Sequence, residues 1–373
     1  MRNQKFNQKP WWFKVLIAIP TLFLVICISF YIIVLSGLFP NLQELWVTTA
    51  MTTMNHKWLA TAFIPQSTID DIMERTYVDD SLYRTQVDLI HLGDIEKVQL
   101  IIPENVTKLE KQIMFIPTIQ KPYSIQYNEP YDKYVREQGY IKLEDGLYKK
   151  EVNGVGLKGY LMLVTDPSRI SLADTKYQYN RGQTVKEMVA DNQAIAGVNA
   201  GGFVDGPNYN SNGGTPAGLL IVNGEVVCPT NINDRTIYSV IGFNTDNILV
   251  LGKMTTAQAI EANIRDAVNF KPFLIVNGET VIKEGTGGWG IAPRTALGQR
   301  STGEVVLLVF EGRRVNVPGV DLRILQDTLY AEGCVNAAMV DGGSSTVMVY
   351  RDEFVNKPSL GYERWINNCW IIK

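Results

Sequence analysis

Histidine is almost missing from this chain: its 373 residues include two, His56 and His91. Both precede the β-rich part of the sequence, so a Ser-His-Asp triad or a histidine-based metal site has no residues to build it there. Cysteine is scarce too, with Cys27 inside an apolar run and Cys228, Cys334 and Cys369 beyond it. No C-x-x-C pair occurs, which leaves zinc and thiol catalysis with little support; one disulfide among the outer three and three free thiols stand as equal alternatives. Net charge is -3 at pH 7. There is no long basic stripe, no Pro/Ser-rich tract and no solenoid-length repeat, and the sequence therefore points to no nucleic-acid partner. Carboxylates, arginine, asparagine and backbone amides are left to carry any reaction.

The N-terminus holds the one long hydrophobic run. Arg2, Lys5, Lys9 and Lys14 precede it, and no charged residue occurs between Lys14 and Glu44. About 20 apolar residues suffice to cross a bilayer as a helix, so a transmembrane helix is expected over 15–40. A cleaved signal peptide would have a shorter apolar region with a small-residue cleavage site close behind it, and neither is evident. The leading basic residues make 1–14 a cytoplasmic tail and place the rest of this single-pass chain, at the cell membrane, outside the cytoplasm. Next, "LQELWVTTAMTTMNHKWLATAFI" sets Trp46, Ala50, Met54 and Trp58 at four-residue steps. It reads as one helix lying at the membrane surface or packing on a partner. The span 41–135 as a whole, broken by Pro65, Pro103, Pro117, Pro122 and Pro130, reads as that helix followed by a stalk or lead-in region.

From 136 to 373 the texture changes to short strands. "GYLMLVTDP", "AGLLIVNGEVV", "FLIVNGETVI" and "GEVVLLVFEGRR" are β-rich runs, and Asn223-Gly224 and Asn277-Gly278 are the residues that type I′ hairpin turns require. "TVKEMVADN" and "TTAQAIEANIRDAV" open with capping-box spacing, Thr184 to Glu187 and Thr255 to Gln258, and are expected as helices. A third helix, "VDLRILQDTLYAEGC", leads to Gly333 as C-cap and into the strand "NAAMVDGG". The expected fold class is α+β: a mixed, largely antiparallel sheet domain with inserted helices, preceded by one transmembrane helix.

Three Gly-bracketed polar clusters carry the candidate chemistry. "GVNAGGFVDG" contains Asn199, Gly201, Gly202, Phe203 and Asp205; "GWGIAPRTALGQ" contains Arg294; "MVDGGSSTVMV" contains Asp341, Gly342, Gly343, Ser344 and Ser345. Glycines at a strand end let backbone N–H groups approach an anion, while an acid from the strand projects into the same space. Taken singly, "DGG" is ordinary turn chemistry, Arg294 an ordinary ion-pair partner and Phe203 as much core as sugar platform. The first cluster departs from G-x-G-x-x-G and no helix follows it, so a dinucleotide cradle fails on context. Arg313-Arg314, beside Gly312, reads as a solvated hairpin end, with steering of an anionic polymer as the sharper alternative.

In order, "VNAGGF", "PRTALG", "VDGGSSTVMV" and the terminal "ERWINN" resemble the phosphodiester glycosidase family over about residues 155–373. Its animal member removes a phosphate-linked N-acetylglucosamine, and bacterial members with an N-terminal span are associated with exopolysaccharide or cell-envelope metabolism. The resemblance matches Asn199, Gly201, Gly202 and Phe203 to the first motif, Arg294 to the second, Asp341, Gly342 and Gly343 to the third, and Arg364 and Asn368 to the last. The terminal motif departs from the family at Trp365 and Ile366, and the first at Val204. These departures bear on the sugar more than on the reaction.

What the resemblance implies is a membrane-anchored, extracytoplasmic hydrolase that cleaves a sugar-1-phosphodiester, such as N-acetylglucosamine-1-phospho-sugar, at the C1–O bond. Its substrate would be a phosphosugar or envelope polysaccharide. A phosphate monoester, with a second pKa of roughly 6, leaves with little protonation, so one carboxylate and a cationic clamp can replace the usual pair of acids. Asp341 is then nucleophile or base, Arg294 and Arg364 hold the phosphate, Asn199 bonds the sugar or phosphate, and the glycine N–H groups form a nest. Asp205 and Glu363 are back-up carboxylates, with Asp321 next; Ser344 and Asn368 join the binding set. No cofactor is required, and a structural Ca²⁺ held by Asp341 and loop acids such as Asp205 stays open. An envelope phosphotransferase acting at P–O and a non-catalytic polysaccharide-binding module are the other two readings.

Overall fold

The computed structural model describes residues 11–53, 56–90, 129–206 and 211–373. His91, Pro103, Pro117 and Pro122 lie outside the described residues, as do the first three basic residues of the tail. The chain divides into two compact units at Thr76/Tyr77.

In the first unit, a helix over Trp11–Phe30 runs into a π-helical segment at Tyr31–Leu35. Within it, Ala18–Leu35 is long and apolar enough to cross a membrane, by length and composition. The single helix expected over residues 42–64 is instead two, Pro40–Thr52 and Trp58–Thr61, followed by a third at Gln66–Arg75. Its apolar face is covered within the unit: Val47, Ala50, Ala60, Ile64, Ile69 and Ile72 form a small core. Trp46 donates its indole N–H to the Leu59 carbonyl at 3.0 Å. The four-residue period continued through the break because Ala and Trp occur on both sides of it, which periodicity alone does not distinguish from one helix.

The second unit begins at Tyr77, well before the change of texture near 136. Residues 77–90 have almost no regular structure, so no period marked them, yet they are tied to the sheets. Asp80 is buried, accepts from the Phe273 N–H at 3.0 Å and pairs with Lys253 at 2.9 Å. Asn277, at the head of a hairpin, accepts from the Gln86 N–H and donates to the Arg84 carbonyl.

Among the described residues, eighteen strands follow a helix at Glu129–Glu137. They are β1 Ile141–Glu144, β2 Leu147–Gly154, β3 Leu157–Val164, β4 Ile170–Asp174, β5 Ala196–Asn199, β6 Leu220–Val222, β7 Glu225–Cys228, β8 Tyr238–Asn244 and β9 Leu249–Met254. The rest are β10 Ile264–Asn269, β11 Phe273–Val276, β12 Glu279–Thr280, β13 Arg294–Arg300, β14 Val305–Phe310, β15 Cys334–Val340, β16 Met348–Tyr350, β17 Glu353–Phe354 and β18 Asn368–Ile372. They form one eight-stranded sheet, β1-β2-β3-β14-β13-β15-β11-β12, and two of five strands, β7-β6-β10-β8-β9 and β17-β16-β5-β18-β4. Every pairing between these strands is antiparallel.

The eight-stranded sheet is buried on both faces, and a period of two sorts its side chains. Val305, Leu307 and Val309 face the core shared with the other sheets, where Phe243 and Trp370 meet edge-to-face at 5.5 Å. Val306, Leu308 and Phe310 face a second core with Leu322, Leu325 and Leu329 of the helix Leu322–Ala331. Both capping boxes form, at Thr184–Glu187 and Thr255–Gln258. Both Asn-Gly pairs take positive φ at each residue, as type I′ turns need. The second capped helix is shorter than expected, Thr256–Glu261; Asn263 turns the chain at φ 53°, and Ile264–Asn269 becomes β10. Pairing with β6 and β8 overrides the helical pattern of this stretch.

Candidate active site

Topology explains why motifs far apart in sequence meet. In an antiparallel sheet the start of one strand lies beside the end of its neighbour. Arg294 and Thr295, opening β13, stand opposite Phe310 at the end of β14 and Val340 at the end of β15. Cys369, near the start of β18, stands opposite Asn199 at the end of β5. The two sheet ends are then stitched together: the Asp341 N–H donates to the Ala200 carbonyl at 2.9 Å, and the Asn199 N–H to the Val347 carbonyl at 3.2 Å. Loops after β5, β14 and β15, with those before β13 and β18, gather at this one edge.

Asn199 is the central brace rather than an open ligand group. Its Oδ1 accepts from the Thr295 hydroxyl at 2.8 Å and the Val347 N–H at 3.1 Å, and its Nδ2 donates to the Asp341 carbonyl at 2.5 Å. Asn368 plays the same part for the first glycine loop, accepting from the Gly201 N–H at 2.6 Å and donating to Asn367 at 3.1 Å. The glycines are needed for closeness of packing: a Cβ on Gly201 would stand 2.8 Å from Val268 Cβ, and one on Gly202 would stand 3.2 Å from the Phe270 ring. The N–H groups of the third motif are engaged as well. Gly342 donates to the Asp341 carboxylate at 3.0 Å and Gly343 to the Pro293 carbonyl at 2.8 Å, so the glycine pair folds the acid's own loop instead of leaving an open nest.

Arg294 also differs from its expected place. It is buried, and its guanidinium donates to the carbonyls of Trp289 at 2.5 Å and Gly290 at 2.8 Å, with Nε 3.4 Å from the Val320 carbonyl. Burial lowers its pKa to about 10, with Asp321 opposing the shift, so it stays cationic and holds the loop that precedes β13. Asp321 is the N-cap of the helix Leu322–Ala331, accepting from the Ile324 N–H at 2.9 Å. Glu363 faces elsewhere: it accepts from the Lys186 N–H at 3.3 Å at the start of the helix Val185–Asp191, and burial raises it to about 7.

Four charged side chains do converge. Asp341 is partly accessible at the head of its loop, and desolvation raises its carboxyl to about 6. The Ser345 hydroxyl, the Arg364 charge and the Gly342 N–H oppose that rise, and Asp205 adds to it. Arg364 donates from Nη2 to both oxygens of Asp205, at 3.1 and 3.2 Å, lies 3.4 Å from the Ser344 hydroxyl and stacks over Phe203 at 4.9 Å. Arg313 is the fourth. A Cβ on Gly343 would stand 3.0 Å from its Nη2, so glycine at 343 leaves the space the guanidinium occupies. Burial and the like charge of Arg364 push Arg313 down, while Asp341 pulls it up. Its backbone takes φ 60°, in a turn closed by its N–H to the Pro318 carbonyl at 2.9 Å and anchored by Gly312 against Pro293. Among the described residues no ion pair or side-chain hydrogen bond engages this guanidinium.

Sequence reasoning read Arg313 as a hairpin end. Gly312 before a charged pair marks a tight turn there, but its packing against Pro293, which sets the direction of the loop, appears only in the fold. Among the described residues, no group of three or more His, Cys, Asp or Glu gathers to hold a metal, and Arg364 occupies the carboxylate of Asp205 that a Ca²⁺ would need. Cys228, Cys334 and Cys369 are free thiols, the last two buried.

An antiparallel α+β domain that sets a perturbed carboxylate beside two guanidinium groups defines a class of site suited to anionic esters. Residues 192–373 match the phosphodiester glycosidase family. Among solved structures, the chain is similar to the catalytic domain of zebrafish N-acetylglucosamine-1-phosphodiester alpha-N-acetylglucosaminidase, auto-inhibited by its pro-peptide. That likeness has 19% identity and a TM-score of 0.52 over 62% of this chain and 85% of that one; at such identity it shows the fold. A hypothetical protein from Synechocystis is similar at 16% identity and a TM-score of 0.42, over 61% of this chain and 62% of that one. An SPbeta prophage-derived uncharacterized protein of Bacillus subtilis (strain 168), YomE, is 36% identical over 72 residues, 19% of this chain. The chain spans 11% of the length of that curated relative.

Proposed function

We propose that this chain is a membrane-anchored hydrolase that cleaves a sugar-1-phosphodiester at the C1–O bond, acting outside the cytoplasm on an exopolysaccharide or cell-envelope glycan. Support for the reaction comes from the family match of residues 192–373, and the observation that carries it here is the meeting of Asp341, Arg313 and Arg364 at one sheet edge. Asp341, once deprotonated, acts at C1 as nucleophile or base. Arg313 contacts the phosphate, and Arg364, oriented by Asp205 and backed by Phe203, adds the second positive charge. Two guanidinium groups close enough to repel one another are relieved by a bound anion, and they stabilise the departing monoester, so a second acid is unnecessary. The residues expected to bind substrate directly, Asn199, Asn368 and Arg294, take a positioning role. Anchoring rests on the apolar helix ending in Ala18–Leu35.

The test separates the two kinds of arginine. With full-length protein in detergent and an N-acetylglucosamine-1-phosphodiester, Arg313→Gln should lower kcat/KM by about 100-fold or more while thermal stability is kept. Arg294→Gln should chiefly lower stability, because the Trp289 and Gly290 carbonyls lose their donor. Unchanged turnover in Arg313→Gln would remove it from the clamp.

A further inference from the structure

We propose that Trp365 is a carbohydrate platform, a subsite beside the candidate active site that takes the sugar carried on the phosphate side of the substrate. The inference rests on the reading of the site given above and names the next part of that substrate. Trp365 is 47% exposed although it follows Arg364 directly in sequence and precedes the buried Ile366. The ring is supported from behind: the Arg181 guanidinium lies 5.3 Å from its centroid and 4.1 Å from that of Tyr177. A guanidinium within reach of both aromatic rings helps hold them in place, since turning either away gives up a cation–π contact. A rigid, half-exposed aromatic ring suits the apolar face of a sugar at small entropic cost.

The backbone beneath is locked. A Cβ on Gly213 would stand 2.3 Å from the Trp365 carbonyl oxygen, and one on Gly214 would stand 2.6 Å from the Arg181 N. Asn212 Nδ2 donates to the Asn180 carbonyl at 2.5 Å, and the Gly182 N–H donates to the Asn212 carbonyl at 2.6 Å. This segment connects the platform to the charged cluster, because the Ser211 N–H donates to Asp205 at 3.2 Å and Asp205 holds Arg364. Asp341, Arg364, Asp205, the 211–214 segment and Arg181 are thus linked in that order. The donor sugar at Asp341 and the phosphate at Arg313 and Arg364 leave the second sugar to extend toward Trp365. Asn180, exposed and next to Arg181 in sequence, adds a hydrogen-bonding amide to the aromatic face, a mixture that suits a glycan better than a purely apolar ligand.

Two readouts test it on full-length protein in detergent. In saturation-transfer NMR with the phosphate-free probes chitotetraose and mannotetraose, the intact chain should bind at least one of them. Trp365→Ala should weaken that binding about tenfold or more, and Trp365→Tyr should restore most of it. In kinetics, Trp365→Ala should raise KM for an N-acetylglucosamine-1-phospho-oligosaccharide and leave the N-acetylglucosamine-1-phosphomethyl ester unchanged. No binding of either probe by the intact chain, equal binding by Trp365→Ala, or an equal loss on both esters would overturn the platform. If no diester is cleaved at all, the hydrolase reading fails, and the NMR titration still decides the fate of Trp365.

Discussion

Asp341 and Glu363 are both acids raised by burial, to about 6 and about 7, and their surroundings assign them different work. Asp341 has two arginines beside it, whereas Glu363 touches the first amides of a helix. The folded chain holds protons on both more tightly than the unfolded chain does, so the stability each contributes falls as pH rises from the ordinary carboxylate range through its folded pKa. For Glu363 that window runs from 4.5 to about 7. Glu363→Gln should therefore flatten the pH dependence of Tm across this window and keep kcat/KM. Asp341→Asn should lower turnover by about 100-fold or more. In the intact enzyme kcat/KM should rise with pH through about 6, where Asp341 deprotonates. Melting curves and a pH–rate profile check all three; a profile without that limb would take Asp341 out of the chemistry. Taken singly, Asp341 reads as turn chemistry; what singles it out in the sequence is the resemblance of its motif, together with the other three, to a family. Arg313 had no such signal, since its nearness to Asp341 depends on β14 and β15 each pairing with β13, and no local pattern encodes that.

At the scale of the element, punctuation was more legible than extent. Capping boxes and Asn-Gly turns act within four residues and formed as expected. Helix ends set by competition between neighbours did not: Ile264–Asn269 left the helical reading to pair with β8 and β6, and the run through 42–64 broke into two helices. The three glycine motifs were legible as clusters, but their purpose was not, because packing at Gly201 involves Val268, far away in sequence. This contrast is measurable. Gly278→Ala meets nothing within 4 Å and has only its φ of 82° to strain it, a cost of about 1–2 kcal/mol. Gly201→Ala forces β10 or the Asn368 side chain to move, for about 1–3 kcal/mol, and should also lower turnover, since Asn368 sets that loop. Urea melts with parallel activity assays distinguish them; loss of activity from Gly278→Ala alone would contradict the assignment.

For the whole molecule, length and composition set out an apolar helix followed by an antiparallel α+β unit, and both are present. Sheet order was beyond reach of the sequence, because β5, β16 and β18 are brought together across more than half of the second unit by contacts that no local period records. The short segment 77–90 was missed for the same reason. The outside location proposed for the second unit rests on four basic residues before the apolar run. A C-terminal alkaline phosphatase fusion should accordingly be active in cells, and an inactive fusion expressed at full length would reverse the topology.

The claim on which the account turns is the bond that breaks. Full-length protein is incubated with an N-acetylglucosamine-1-phosphodiester in ¹⁸O water, and the products are weighed by mass spectrometry. The account predicts label in the free sugar, as C1–O cleavage requires. Label in the phosphate would mean attack at phosphorus and would contradict it.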